Sequence, residues 1–338
     1  MICRRFTAAG AALWRKVSPP AETDAFPEVA QPPSPTDARA TIESRIFFTR
    51  RSVAKTAFPS RSVISKSAAP ATLPRVQLPL AGKSLAVIGG TAGLGLSAAK
   101  AFVDAGARVL VVGRSAANAE RAAAALGENA RAISADACDP DTAPRAIAEA
   151  VAAFGRLDGL YHVAGGSGRR MGDGPLHELT DEGWHATFDL NLTSLMFSNR
   201  AAVRQFLAQG TGGSILNIGS VLGWSPSPRH FSTHAYAATK AALIGFSKAT
   251  AAFYAPQNIR INVLAPALVE TPMAQRAAQD ETILRFIKTK QPLDGGRIGQ
   301  SRDLDAAAVY FMSDGARFTT GQVLAVDGGW SVSEGQYE

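Results

Sequence analysis

Apolar and polar positions follow no regular period up to residue 80, and then alternate between two regular patterns to the end of the chain. The run Ser84-Leu-Ala-Val-Ile, bounded by Gly82 and Gly89-Gly90, has the texture of a short buried strand. A helical stretch over 95–105 follows and stops at Gly106, and Arg108-Val-Leu-Val-Val predicts a second strand. The alternation continues with a helix over 116–126, a strand over 131–134, a helix over 140–153 and a strand over 159–163. A long helix over 181–208, a strand over 214–218, a helix over 234–253 and a strand over 259–264 complete it. Apolar runs separated by helices of ten or more residues imply βαβ units and a parallel sheet covered on both faces. The expected fold is α/β: a single doubly wound Rossmann-type domain over 81–338, preceded by a disordered arm over 1–80.

Composition sharpens that boundary. Residues 1–80 hold 12 of the 35 Lys and Arg and 5 of the 28 Asp and Glu, so the arm carries 12 − 5 = +7, the whole formal charge of the chain. It also holds 10 of the 19 prolines. Segments such as Gln31-Pro-Pro-Ser-Pro sustain neither helix nor strand. An acid-free start with Arg4, Arg5, Arg15 and Lys16 fits an organellar targeting sequence, and a passive tail or an upstream start codon fits it as well. Localisation is accordingly expected to be cytoplasmic, or mitochondrial or otherwise organellar if the arm is a transit peptide. Few aromatics and no folded basic face argue against nucleic acid as a partner. No apolar run reaches the roughly 18 residues that span a bilayer. Two cysteines, Cys3 and Cys138, make neither a disulfide framework nor a zinc site, so no metal is expected.

Candidate chemistry falls at strand ends. Gly89-Gly90-Thr91-Ala92-Gly93-Leu94-Gly95 joins the first strand to the first helix, where glycines let backbone amides approach a pyrophosphate. The second strand ends Val112-Gly113-Arg114-Ser115, without the acidic residue that holds an NAD ribose. Arg114 could pair with a 2′-phosphate and Ser115 add a hydrogen bond, which favours NADP, with NAD possible; a solvated surface arginine is the plain alternative. Tyr236 and Lys240 stand at i and i+4 on one helix face, and a nearby cation favours the phenolate of a Tyr otherwise too weak an acid. Ser220 ends the fifth strand, and Asn191 lies in the buried-looking stretch Phe188-Asp-Leu-Asn-Leu-Thr of the long helix.

Together, the glycine loop, Asn191, Ser220 and Tyr236-Ala-Ala-Thr-Lys240 resemble the short-chain dehydrogenase/reductase family, in its subgroup of roughly 250-residue cores. Asn262-Val-Leu-Ala-Pro-Ala-Leu-Val-Glu-Thr271 and Gly321-Gln-Val-Leu-Ala-Val-Asp-Gly-Gly329 are similar to its later segments, and the likeness covers about 80–332. The resemblance implies that Tyr236 is the general acid or base, that Lys240 lowers its pKa and holds the nicotinamide ribose, and that Ser220 bonds the substrate oxygen. It implies that Asn191 holds a water linking Lys240 to solvent, and that Thr271 binds the cofactor carboxamide. It also implies cofactor contacts from Gly89, Thr91, Gly93, Leu94, Gly95, Arg114, Ser115, Asp136, Ala137, Ala164, Gly165, Tyr236, Lys240, Pro266 and Val269. A small-molecule carbonyl or alcohol substrate and a homo-oligomer, tetramer or dimer, follow from the same likeness.

Three departures stand out: Ile88 replaces the family's Thr, Val163 replaces a structural Asn in His162-Val-Ala-Gly165, and Pro266-Ala267 replaces Pro-Gly. The loop from Ser220 to Tyr236 carries His230 and His234, either extra acids or ordinary surface histidines. The loop Gly165-Gly-Ser-Gly-Arg-Arg-Met-Gly-Asp-Gly-Pro175 suggests mobility, and Arg169-Arg170 either meets an anionic substrate or pairs with Asp173. A lid is expected near 271–299, with Met273, Ile283, Phe286 and Ile287 covering substrate or serving as core. An enoyl reductase would want Tyr and Lys seven apart, but Leu243 stands there; a nucleotide-binding regulator without turnover is the other rival.

Overall fold

The computed structural model describes residues 78–336, so the expected arm lies outside the described residues up to 77. Packing begins at once: Leu80 is fully buried and its amide donates to the Ala105 carbonyl at 2.9 Å. Seven strands follow: β1 Ser84–Ile88, β2 Arg108–Gly113, β3 Ala130–Ser134, β4 Gly159–His162, β5 Gly213–Ile218, β6 Ile259–Pro266 and β7 Val323–Val326. They form one sheet in the order β3-β2-β1-β4-β5-β6-β7, with every pairing parallel. The helices between them are α1 Gly93–Asp104, α2 Ala116–Leu126, α3 Thr142–Phe154, α4 Asp181–Phe188, α5 Ser194–Gln209 and α6 His234–Tyr254. After β6 come α7 Gln275–Ala278, α8 Glu281–Lys290 and α9 Asp305–Met312.

Period-two alternation divides the strands between two faces. Leu85, Val87, Val109 and Val111 pack with Phe102 of α1 and with Ala308 and Phe311 of α9. Their neighbours Ala86, Ile88, Leu110 and Val112 pack on the other face with Ile147 and Phe154 of α3 and Phe206 of α5. This is the doubly wound parallel sheet the alternation predicts. The chain runs outward from β1 to β3, then crosses to β4 on the other side of β1. A crevice opens at the carboxyl ends of the strands at such a reversal, and it is the usual ligand site of this architecture.

The long helix departs from its expected form. Between α4 and α5 the chain makes a wider π-turn over Asp189–Thr193, with Asn191 buried at its centre. The Asn191 Nδ2 donates at 2.9 Å to the carbonyl of Thr187, four residues back, which competes with the regular helical ladder there. Single π-turns of this kind cluster at functional sites.

Candidate active site

The floor of the crevice is built by residues that follow strand ends. Ser220 stands just beyond β5, and its Oγ accepts from the Leu222 amide at 3.2 Å, which fixes the start of a short 3₁₀ turn. Tyr236 and Lys240 lie one turn apart on α6. Lys240 Nζ donates to the Ile218 carbonyl at 3.0 Å and sits 5.4 Å from the Tyr236 ring centroid. Asn191 is clamped from above: its Oδ1 accepts from the Gly166 amide at 3.0 Å, and its Nδ2 donates to the Gly166 carbonyl at 2.9 Å. A β-carbon at Gly165 would fall 2.8 Å from Asn191 Oδ1 and 3.7 Å from Lys240 Nζ, so Gly165 is the close neighbour of both. The four residues singled out in the sequence therefore meet in one place.

Burial tunes the two ionisable groups in opposite senses. Tyr236 keeps part of its surface open to the crevice, but crowding by protein atoms pushes its phenol up to about 12, against a hydrogen bond from Ser220 that favours the phenolate. Lys240 is 2% exposed, and loss of hydration pulls its ammonium down to about 7. The Tyr236 shift is upward, opposite to the lowering expected from the Lys240 cation, because burial outweighs the Ser220 hydrogen bond, which is what favours the phenolate here.

The glycine loop fits a dinucleotide. The α1 N-terminus has no side-chain cap and no acidic residue in its first turn, which leaves its amides and dipole for an anion. A β-carbon at Gly95 would strike the Gly89 carbonyl at 2.1 Å, and one at Gly89 would strike the Ala164 amide nitrogen at 2.5 Å. Gly93 has φ +52°, and a β-carbon there would face Thr271 at 3.7 Å, so the loop and the segment after β6 look at one another across the crevice. Thr91 lies against the end of β2, where a β-carbon at Gly113 would meet its Oγ1 at 1.9 Å. Leu94 lies partly buried in α1, and Ala137 and Ala164 line the other flank as partly buried residues.

Arg114 is exposed, its carbonyl accepting from Ser134 Oγ at 3.0 Å. Ser115 caps α2 by accepting from the Asn118 amide at 3.3 Å, so its oxygen already has a structural use. Asp136 accepts from the Cys138 amide at 3.0 Å in a turn after β3. Pro266 closes β6, and Val269 bridges to Gly299.

Other expectations are corrected or decided. The loop over 165–175 is tightly held, and its glycines serve close approach: β-carbons at Gly168 and Gly172 would strike Thr187 Oγ1 at 1.7 Å and Thr180 Oγ1 at 2.2 Å. The Asp173 carboxylate is committed to α6, both oxygens accepting its amides at 3.0 and 2.9 Å, and its charge acts on Arg169 only as a neighbour. Ile283, Phe286 and Ile287 are core, packed with Val221 and Trp330, whereas Met273 is 58% exposed. His230 stacks on Phe286 with ring centroids 5.0 Å apart, and burial together with Arg229 lowers its affinity for a proton. His234 begins α6 and is exposed.

His162, the residue before Val163 at the end of β4, is fully buried with Nδ1 2.8 Å from Ser198 Oγ. Gln291 is a support that sequence reading missed: it accepts from the Leu268 amide at 2.9 Å and donates to its carbonyl at 3.2 Å, fixing the segment that leads to Thr271. Among the described residues no helix is long and apolar enough to cross a membrane.

Comparison with known proteins agrees with this geometry. The family described as enoyl-(acyl carrier protein) reductase matches residues 89–331. A 2,5-dichloro-2,5-cyclohexadiene-1,4-diol dehydrogenase of Sphingobium indicum is 33% identical over 254 residues, 75% of this chain and 98% of that one. A short-chain type dehydrogenase/reductase from Mycobacterium ulcerans superposes with a TM-score of 0.69 at 31% identity, covering 75% of this chain and 92% of that one. A 3-ketoacyl-(acyl-carrier-protein) reductase from Brucella melitensis, solved with NADH, gives 0.65 at 30% identity, covering 75% and 100%. The chain belongs to the short-chain dehydrogenase/reductase family, oxidoreductases that act on CH–OH groups with a nicotinamide cofactor.

Proposed function

We propose that the protein is an NADP-preferring oxidoreductase that interconverts a secondary alcohol and a ketone, with Tyr236 as proton donor and acceptor. The observation that carries this reading is the convergence of Ser220, Lys240, Asn191 and Gly165 around one phenol in the crevice. A nicotinamide held in the crevice would supply the hydride in reduction and accept it in oxidation. Ser220 donates a hydrogen bond to the substrate oxygen and holds it against the Tyr236 hydroxyl, so that negative charge growing on that oxygen is met by two donors. Tyr236 delivers its proton to that oxygen in reduction and takes it back in oxidation. Lys240 holds the ribose and, with a pKa of about 7, exchanges protons near neutrality. Asn191 keeps the Gly166 backbone beside it, on the path from Lys240 to solvent.

The NADP preference rests on Arg114 and on the crowding at Gly113, where a carboxylate cannot be seated without displacing Thr91. The remaining cofactor contacts are those expected from the loop Gly89–Gly95, Ser115, Asp136, Ala137, Ala164, Gly165, Pro266, Val269 and Thr271. At the mouth, burial and then the nearby Arg276 charge lower the proton affinity of Arg169, an electropositive setting that suits a substrate bearing an anionic group. The functional enzyme is a homo-oligomer, and the domain over 81–338 carries all of the chemistry. An enoyl reductase is disfavoured because the position seven beyond Tyr236 is Leu243, fully buried.

Purified protein incubated with NADPH or NADH and a panel of ketones, neutral and carboxylated, tests the reading. Oxidation of NADPH with at least one panel member, faster than of NADH, is expected. Failure across steroid, sugar, acyl-thioester and quinone carbonyls, or full activity in Tyr236→Phe, would sink it.

A further inference from the structure

We propose that Asp173 is a positioning residue for the reaction: through the loop that carries it, it seats the first turn of α6 and thereby Tyr236. This rests on the reading of Tyr236 given above. A helix leaves its first amides without intrahelical partners, and a residue at the cap position normally supplies one. The cap of α6 is Thr233, whose side chain makes no such bond. All three leading amides are instead taken by the remote loop. His234 donates to the Gly174 carbonyl at 3.3 Å, Ala235 to Asp173 Oδ1 at 3.0 Å, and Tyr236 to Asp173 Oδ2 at 2.9 Å. Asp173 is only 3% exposed, so removing the carboxylate takes the fixed acceptor from two buried amides at once.

The same loop holds Asn191. Its Gly166 exchanges two hydrogen bonds with the Asn191 amide, and its Gly172 carbonyl accepts from Thr180 at 3.1 Å just before α4. An Asp173 amide bond to the Gly168 carbonyl at 3.1 Å closes the loop on itself. The close approaches of Gly168 to Thr187 and of Gly172 to Thr180 leave the backbone no room to slide. One rigid segment thus spans from Asn191 on the π-turn to Tyr236 on α6. Lys240 is anchored separately, to Ile218. Loss of Asp173 therefore frees the phenol while leaving the ammonium in place, and the pair falls out of register.

The test compares wild type with Asp173→Ala, Asp173→Asn and the double variant Asp173→Ala/Thr233→Asp. Asp173→Ala is expected to lower kcat on the order of 10- to 100-fold, the cost of a small misplacement of a reacting group. The Kd for NADPH should change far less than kcat, because the glycine loop and the Lys240 anchor at Ile218 lie outside the segment that Asp173 ties down. Asp173→Asn keeps one acceptor and should recover part of kcat. The double variant gives α6 a local cap but no tether, and its kcat should remain low. Hydrogen exchange supplies a readout without turnover: in Asp173→Ala, protection should fall together over 234–237 and 166–174.

Full kcat in Asp173→Ala, full rescue by Thr233→Asp, or unchanged exchange over 234–237 would each overturn the proposal. Asp173→Asn keeps it decidable where the alanine variant does not fold: a fall in kcat with unchanged NADPH Kd supports it, and wild-type kinetics and exchange overturn it. A wild-type protein inactive on every carbonyl would count against the proposed function instead, leaving exchange to decide on Asp173.

Discussion

Lys240→Met should make the protein more stable as it makes it inactive, and the gain should depend on pH. The ammonium falls from an ordinary 10.5 to about 7 through burial alone. That difference corresponds to about 5 kcal/mol of unfavourable burial once both folded and unfolded states are protonated, at roughly 1.4 kcal/mol per unit. Between about 7 and 10.5 the unfolded chain holds a proton that the folded one releases. Wild-type stability should then rise with pH by up to about 1.4 kcal/mol per unit from this group. Methionine removes the charge and keeps the length, but leaves the Ile218 carbonyl without its partner, a loss of about 1 kcal/mol. The net gain is about 3–4 kcal/mol near pH 6.5 and shrinks toward zero by pH 9.5. Tyr236, held up at about 12, stays protonated in the fold throughout that window. Urea unfolding at pH 6.5, 8 and 9.5 measures the difference. A Lys240→Met midpoint at or below wild type at pH 6.5, or a gain that does not change with pH, would refute the reasoning.

His162 predicts a slope of the same sign in the acid range. Burial first, then the Lys240 charge, holds its imidazole down to about 3, so below about 6.5 the unfolded state gains a proton that the fold refuses. Stability should fall as pH drops through that range, by up to about 1.4 kcal/mol per unit, and His162→Gln should flatten the fall in the same unfolding assay; an equal slope in both proteins counts against it. Gly113→Ala should cost about 1–3 kcal/mol and weaken NADPH binding, since its β-carbon would lie 1.9 Å from Thr91 Oγ1 and the loop must yield. Calorimetric melting and cofactor titration check this, and an unchanged Tm would show that Thr91 moves freely.

The sheet and most helices were legible because each strand is a dense apolar run closed by glycine or a turn, as in 84–88 and 108–113. The glycine loop and the Tyr236–Lys240 pair were legible because their spacing is local. The π-turn was not, because the apolar pattern of 181–208 continues through it and only the side-chain bond from Asn191 to Thr187 betrays the change. Charge complementarity, visible in sequence, offers Asp173 only as one of two partners for Arg169-Arg170, whereas capping a helix 61 residues away (173 to 234) is a tertiary fact. The glycines of 165–174 misled for a related reason. Absence of a β-carbon permits both mobility and close contact, and only the neighbours at Thr187 and Thr180 decide which.

Chemistry and selectivity occupy different depths of the crevice. Asn191, Ser220 and Lys240 each spend a side-chain bond on backbone, at Gly166, Leu222 and Ile218, and Tyr236 is fixed through its own amide. Such a floor is preorganised, and substitutions there should alter turnover before affinity. The mouth is built otherwise. Met273 and Trp224 are 58% and 42% exposed, and Arg169 and Arg276 approach from a loop and a short helix. The formal charge of +7 lies wholly in residues 1–80, since the remaining 23 basic and 23 acidic groups cancel. A net-neutral domain offers no long-range pull on an anion. Any preference for anionic carbonyl compounds must then come from those two guanidiniums at short range. It should show as a change in KM that survives physiological salt better than diffusional steering would.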